Sequence, residues 1–520
     1  MSFEFLDDHD ITGLIKHFGR IRLTNDPPSE FALLTNYVGI QNDPQERILD
    51  NRPEQDRLIA RIDLLYRPFG YFDDVRRGVE IPGQETINDQ ELWIAVEALA
   101  ADMLQFYDDE KEQSSKFIQH LNNVFKTQGT IAASRVSDGK STTDSHRLGA
   151  HGAIMFCMNE VTSGDCDPIV QLVAYIAASF NNSIQIHEEL FKRWRVPALV
   201  MTHVGELCFP ASSICGSSLE YSGPNVFFSG VVWVGQMRVV PLTPGITMAR
   251  AAGTDSRRNL VWAFKAACLV LSRIQADVDD LVKLIQSQPE ANWPPLLTEK
   301  TLRFPAITEV DAFPDSKSEK LKFIINFRHD ELDDRHLYHA RLISPPMVKG
   351  KDVYIKFTQR YSVELHEFCA SKKLAPAILG FEKLSGGWYA VVMEKIDEVY
   401  FSRGRLSVEH KKHIREHVGR LKKSVSKLVD EFHGKGFVHG DLRLENFVFT
   451  ESEGALKMLL VDFDWGGKEG VAVFPPIPLD DELGVGNRQF LNRRITIEHD
   501  CRCLEKAFQR LNWDIRQGSL

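Results

Sequence analysis

No apolar run in this 520-residue chain approaches the roughly 18 residues that a membrane-spanning helix needs. Its first residues, MSFEFLDDHDITG, are acidic where a secretory leader would be basic and then apolar. The eight cysteines are scattered, without one C-x-x-C pair, and Cys501 and Cys503 stand too close together for a usual zinc knuckle. That pattern argues against a disulfide framework and predicts free thiols in a reducing compartment, cytoplasm or nucleus, with no membrane partner. A net charge of −10 argues against broad nucleic-acid binding, although a local basic patch leaves that partner open. No internal repeat of useful length is present. What remains is ordinary globular composition, 43% hydrophobic and 26% charged, in a chain long enough for roughly two to four domains.

Proline divides the chain. Residues 286–318 collect five prolines and little periodicity, which predicts a linker. Residues 1–130 predict a helical region, with spaced apolar positions under charged faces in RLIARIDLLYRPF and ELWIAVEALAADMLQFYDDEKEQSSKFIQHLNNVF. Residues 131–285 read differently. AIMFCMNEV predicts a buried strand, SGDCDP a turn and helix cap, and IVQLVAYIAASFNNSIQIHEELFKRW a helix. PALVMTHVGELCF and NVFFSGVVWVGQMRVVPL predict further strands, and a long amphipathic helix starts near Ser256. Residues 319–520 form the last predicted domain.

That domain holds the most informative stretch, GFVHGDLRLENFVFTESEGALKMLLVDFDWGG at 436–467. Asp441 is followed five positions later by Asn446, then by an apolar run and Asp462. Phosphoryl transfer asks for this order: one carboxylate for the acceptor hydroxyl, then an amide oxygen and a second carboxylate for magnesium on the nucleotide phosphates. The flanks agree. Ile414, Val418, Leu421, Val425 and Leu428 lie on one face of a helix that Gly434 and Gly436 end. Phe447-Val448-Phe449 and Met458-Leu459-Leu460-Val461 flank a Glu-Ser-Glu-Gly turn and predict a hairpin, which places both aspartates at strand–loop junctions open to solvent. Lys411, Lys412, Lys422 and Lys423 make a basic cluster on the preceding helix, a solvated face or a nucleic-acid or nuclear-import patch.

The stretch resembles the catalytic loop and metal-binding segment of protein-kinase-like enzymes, in the HGD branch that includes aminoglycoside and choline phosphotransferases. The resemblance implies ATP and Mg2+ as cofactors, Asp441 as catalytic base, Asn446 as a magnesium ligand and Asp462 as the main magnesium carboxylate; it fixes no role for Asp464. VYIKF (353–357) alternates like a half-buried strand and places Lys356 where such enzymes anchor phosphates. The helical segment after it offers Glu364 as the ion-pair partner of Lys356, with Glu367 one turn away as the other candidate. Residues 388–394 resemble the strand and hinge under the adenine, where backbone groups of Glu394 and Lys395 would read the base edge. Asp500 matches a helical aspartate that braces the catalytic loop, or else is a plain surface acid.

Two departures stand out. NFRHDELDDRHLYHARLI (326–343) contains no glycine, although backbone N–H groups cradle phosphates closely only where side chains do not intrude. Glu331, Asp333 and Asp334 would moreover repel a triphosphate. The chain also runs only 58 residues past Asp462, room for a segment rich in Pro475, Pro476 and Pro478 and for one or two helices. Arg443 stands where Ser/Thr kinases carry lysine, a planar fork in place of a point charge.

Residues 131–285 resemble a restriction-endonuclease-like domain, in a fungal family where it precedes an HGD-type kinase domain and which is related to modules of Crinkler-type effectors. Gly164, Asp167, Pro168, Gln171 and Tyr175 match that family's turn and helix. The acid and lysine of its E-x-K strand fall on Phe156 and Met158, leaving Asn159 and Glu160, with Asp144 and Asp165 as remaining candidate metal ligands. Such a nuclease needs carboxylates for magnesium and a lysine for the attacking water, and phenylalanine and methionine supply neither.

The expected architecture is therefore an α+β multidomain chain: a degenerate restriction-endonuclease-like α/β domain followed by a bilobal protein-kinase-like domain with a short C-lobe. The expected function is an ATP- and Mg2+-dependent phosphotransferase acting on a protein or small-molecule hydroxyl. The alternative is a pseudokinase and pseudonuclease pair acting as an interaction or nucleic-acid-binding scaffold.

Overall fold

The computed structural model of the protein describes residues 28–43, 47–50, 59–105, 107, 110–126, 130–132, 145–149, 154–161, 167–204, 224–249, 254–314, 320–329, 335–396, 399–400, 408–452, 455–475 and 494–517. It divides into two compact units: Met1–Ile307 together with Ser385–Gly387, and Thr308–Leu384 together with Trp388–Leu520.

In the first unit, helices α1 (Asp89–Met103) and α2 (Glu110–Val124) precede a six-stranded sheet. Strands β1 (Ser145–Leu148), β2 (Ile154–Val161), β3 (Ala198–Val204), β4 (Asn225–Trp233) and β5 (Met237–Pro241) lie side by side in chain order, and β6 (Ile246–Thr247) also pairs with β4. Only β2 and β3 run parallel, because helix α3 (Pro168–Ile186) between them supplies the crossover that a parallel pair requires. Asp167 caps α3: its Oδ1 accepts from the amides of Ile169 at 2.9 Å and Val170 at 3.2 Å, with Pro168 at the first helical position. Helix α4 (Thr254–Ser287) sets Leu260, Phe264, Ala267, Leu271, Ile274 and Val278 into the core at alternating four- and three-residue steps. Five consecutive residues of β2, Ile154 to Met158, are buried, so both faces of the strand are covered and it shows no alternation.

The second unit opens on an antiparallel sheet of β7 (Glu309–Asp311), β8 (Lys320–Arg328), β9 (His336–Ser344), β10 (Asp352–Thr358), β11 (Ile378–Lys383) and β12 (Tyr389–Glu394), in the order β11-β12-β10-β9-β8-β7. Helix α5 (Val363–Ser371) follows β10. Beyond the sheet come β13 (Val399–Tyr400), helix α6 (Val408–His433), β14 (Phe437–Val438), the hairpin β15 (Phe447–Ser452) with β16 (Ala455–Leu460), β17 (Gly467–Lys468) and helix α7 (Ile497–Gln517). Helix α6 buries Ile414, Leu421, Val425 and Leu428, the face its spacing predicts, and these share a core with Leu365, Phe463 and Leu511. Each such side chain contributes roughly 1.5–3 kcal/mol of gross burial energy. Gly436, at φ +72°, takes the left-handed turn after α6 that a side chain would resist.

Candidate functional site

The loop between β14 and β15 is fixed from beneath by α7. Asp500 on that helix is fully buried; its Oδ2 accepts from the His439 amide at 2.6 Å and its Oδ1 from the Gly440 amide at 2.7 Å. Of the two readings its sequence position allows, the surface acid is the wrong one. Charge-assisted bonds to two backbone amides in a buried setting are among the stronger ones a loop can have. Gly440 sits at φ +82°, and a Cβ there would lie 2.7 Å from Ile495 Cδ1, so glycine is required on two counts.

That anchoring presents Asp441 to a crowded neighbourhood. Arg443 Nε donates to Asp441 Oδ1 at 2.5 Å and its Nη2 to Oδ2 at 2.9 Å, a two-point fork. Asn446 Nδ2 donates to the Asp441 carbonyl and to Oδ2, both at 2.8 Å. Asp441 is only 5% exposed, more enclosed than a solvent-open loop acid, because Arg443 and Asn446 cover it. The amide nitrogen of Asn446 is thus fully used, while its Oδ1 is buried without a hydrogen-bond partner. A buried amide oxygen left unpaired is costly unless it serves a ligand.

The Val461 amide donates to the Asn446 carbonyl at 2.9 Å, which ties the next acid to the same place. Asp462 adopts φ +67°, a left-handed conformation that aspartate tolerates better than most side chains but that still stores strain. Lys356 Nζ lies 2.6 Å from Asp462 Oδ1 and 2.7 Å from Asp464 Oδ1, and Arg335 Nη1 lies 3.4 Å from Asp462 Oδ2. Burial alone would push Asp462 up; the ammonium of Lys356, aided by Arg335, overcomes it and holds the carboxyl well below the usual range. Asp464 goes the other way, raised first by burial and then by the neighbouring Asp462 charge despite Lys356. Lys356 is itself raised: burial opposes its charge, but the two carboxylates outweigh that. Two acids and two cations therefore balance around one spot.

The Lys356–Glu364 pair expected from the sequence is not formed. Helix α5 turns Leu365, His366 and Cys369 inward, which leaves Glu364 and Glu367 exposed. His366 occupies the inward position instead. Its Nε2 donates to the Pro376 carbonyl at 2.8 Å, its Nδ1 accepts from Tyr361 Oη at 2.6 Å, and its ring stacks on Phe463 at 4.4 Å. Burial lowers the pKa of this imidazole to about 4, so it is neutral at pH 7. The expected adenine contacts change as well. The Glu394 amide is committed to the Ala377 carbonyl at 2.9 Å, and the side chains of Glu394 and Lys395 turn to Lys351 and Asp352. Glu394 N–H is therefore not offered to a base edge.

Arg335 was not expected from the sequence, since a lone arginine after an acidic run carries no spacing signal. Glu331, Asp333 and Asp334 lie outside the described residues, as do Asp144, Gly164 and Asp165; the side chains of Asn159, Glu160 and Lys411 are likewise not described. In the first unit Phe156 and Met158 are buried in β2, and Gln171 Nε2 donates to Tyr175 Oη at 3.3 Å. Among the described residues no three His, Cys, Asp or Glu side chains cluster as a metal site. A magnesium ion does not need three, because it commonly takes one or two carboxylates and completes its shell with phosphate and water. The orphaned Asn446 oxygen and the strained Asp462 carboxylate fit that donor set. No helix among the described residues is long and apolar enough to cross a membrane.

A model of the lipopolysaccharide kinase (Kdo/WaaP) family matches residues 370–471, a stretch that contains Asp441, Asn446, Asp462 and Asp464 and begins after Lys356. No curated protein matches the chain. Among solved structures, the Cydia pomonella granulovirus kinase PK-1 aligns with 37% of this chain and 70% of its own, at 12% identity and a TM-score of 0.28. The chain carries a kinase-like domain.

Proposed function

We propose that the second unit is an ATP- and Mg2+-dependent phosphotransferase of bilobal kinase design, and that the first is a nuclease-like scaffold without its metal chemistry. The observation that carries the first half is the Asn446 side chain: its nitrogen is spent on Asp441, and its oxygen is buried with no partner. In this reading Asn446 Oδ1 and Asp462 hold magnesium, which when bound neutralises charge on the transferring phosphoryl group. Lys356 and Arg335 rest on the Asp462 carboxylate and are the cations placed to turn to nucleotide phosphates. Arg335 offers charge where the loop offers no glycine amides. Asp441 receives the acceptor proton, and the Arg443 fork holds its carboxylate in place. Glu364 has no part in this arrangement.

One observation favours the scaffold alternative: both Asp441 oxygens are already engaged, by Arg443 and Asn446. Titration with Mg-ATP separates the two. Binding at 100 times Kd stabilises a protein by about 2.7 kcal/mol, readable as a thermal shift. The expected result is a shift lost in Asp462→Ala and kept in Asp441→Ala, with phosphate transfer in the latter down on the order of 10²-fold or more. No shift in the wild type with millimolar Mg-ATP would leave the scaffold reading standing.

A further inference from the structure

Arg443 has two sides. One grips Asp441; the other lines an open trough of about 450 Å3 whose far wall is one face of α7. Cys503, Lys506, Arg510 and Trp513 recur along that face at steps of three and four residues, with Leu444 completing the floor beside Arg443. Asp500 stands one step earlier on the same face, so the turn that braces the loop is continuous with the turns that line the trough. No acidic side chain is among the lining residues, whereas three are cationic. Arg443 is paired with Asp441, and Arg510 with Glu445 at 3.1 Å. Lys506 is exposed and enters no ion pair among the described residues. The Trp513 side chain is 58% exposed. An indole and arginines left at a surface are the side chains that anchor partner chains most often.

We propose that this trough seats the phosphate acceptor, and that the acceptor is an acidic peptide segment whose hydroxyl-bearing residue is presented to Asp441. The proposal rests on the phosphotransfer reading and adds the class of substrate to it. Two features favour a peptide over a small molecule. The trough is a hollow at the surface and not an enclosed cavity, where small-ligand sites close over most of their occupant. Its cations are also spread, Lys506 and Arg510 one turn apart on α7 and Arg443 on the facing loop, matching acids spaced along an extended chain. Lys506 supplies the unspent charge, Trp513 the apolar anchor, and Arg443 joins the trough to the acceptor carboxylate.

The test uses the full chain and fluorescein-labelled serine peptides flanked by Asp/Glu, by Ala or by Lys. Anisotropy is read without nucleotide, so the result does not depend on catalysis. The acidic peptide binds at least tenfold more tightly than the other two, and its affinity falls with added salt. Lys506→Glu and Trp513→Ala each weaken it about tenfold; both positions are exposed and leave the fold intact, which circular dichroism checks. With Mg-ATP the same variants raise KM for the acidic peptide and leave kcat unchanged. Equal binding of the three peptides, or variants that bind the acidic peptide as the wild type does, overturns the proposal. So does phosphorylation of a small phosphorylated alcohol by a protein that binds no acidic peptide. If the acidic peptide binds and no Mg-ATP thermal shift appears, the trough stands and the phosphotransfer reading fails.

Discussion

Strand β2 of the first unit and the loop after β14 of the second are both largely buried, and they are built in opposite ways. In β2 the side chains of Phe156 and Met158 are buried and apolar, with nothing polar left to satisfy. Around the loop, Asp441, Asn446 and Lys356 are also buried, yet one amide oxygen has no partner and two cations converge on Asp462. The first region carries no such desolvation cost, since its apolar side chains bury no charge. The second region keeps those costs. A fold retains buried, incompletely satisfied polar groups at a place where a ligand completes them, and that difference separates an apolar core strand from a candidate site.

The largest expected effect sharpens the scaffold side. Phe156→Ala removes a fully buried ring packed against Phe125, with centroids 5.4 Å apart, and lowers stability by about 3–5 kcal/mol in urea unfolding. Added Mg2+ leaves that loss unchanged if β2 holds no metal, and a magnesium-dependent rescue would break the comparison.

The next effect concerns protonation in the second unit. His366 has a folded pKa of about 4 against about 6.5 unfolded, so between these values the unfolded chain binds more protons and stability rises with pH. Its contribution is full above pH 6.5 and is lost as pH falls through 4, about 3 kcal/mol down to that point. Urea unfolding at pH 7, 5.5 and 4 should show the wild type losing that much more than His366→Asn; parallel curves would remove the histidine from the account.

A smaller loss follows from Asp500→Asn, which keeps size but offers a single oxygen to two amides. Leaving one buried amide unpaired costs about 1–3 kcal/mol. Hydrogen exchange at His439 and Gly440 should accelerate together, and unchanged protection at both would show that the loop is held by other contacts.

Much of the site was legible in sequence because its geometry is local. Asp441 and Asn446 lie five residues apart in one loop, and the hairpin that carries the chain to Asp462 announces itself through two short apolar runs. Asp462 and Asp464 were visible too, two apart with Phe463 turned into the core between them. The partner of Lys356 was not. Helical spacing offered Glu364, but the side of α5 that faces the core depends on how the helix packs, and it packs with His366 inward. Arg335 and the trough on α7 belong to the same class of fact, since both join residues from segments far apart in the chain.

The sequence by itself determined the kinase-like order of acids and amide, the apolar face of α6, the hairpin, and the apolar run of β2. All are set by spacing within a turn, a strand or a loop, where backbone geometry converts sequence distance directly into space. Tertiary structure alone decided that Asp500 braces the loop after β14, that Lys356 and Arg335 meet on Asp462, and that Asn446 is left with a free oxygen. Those outcomes depend on competition among buried polar groups from distant segments for a few partners, and burial makes every unmet bond costly enough to fix the result.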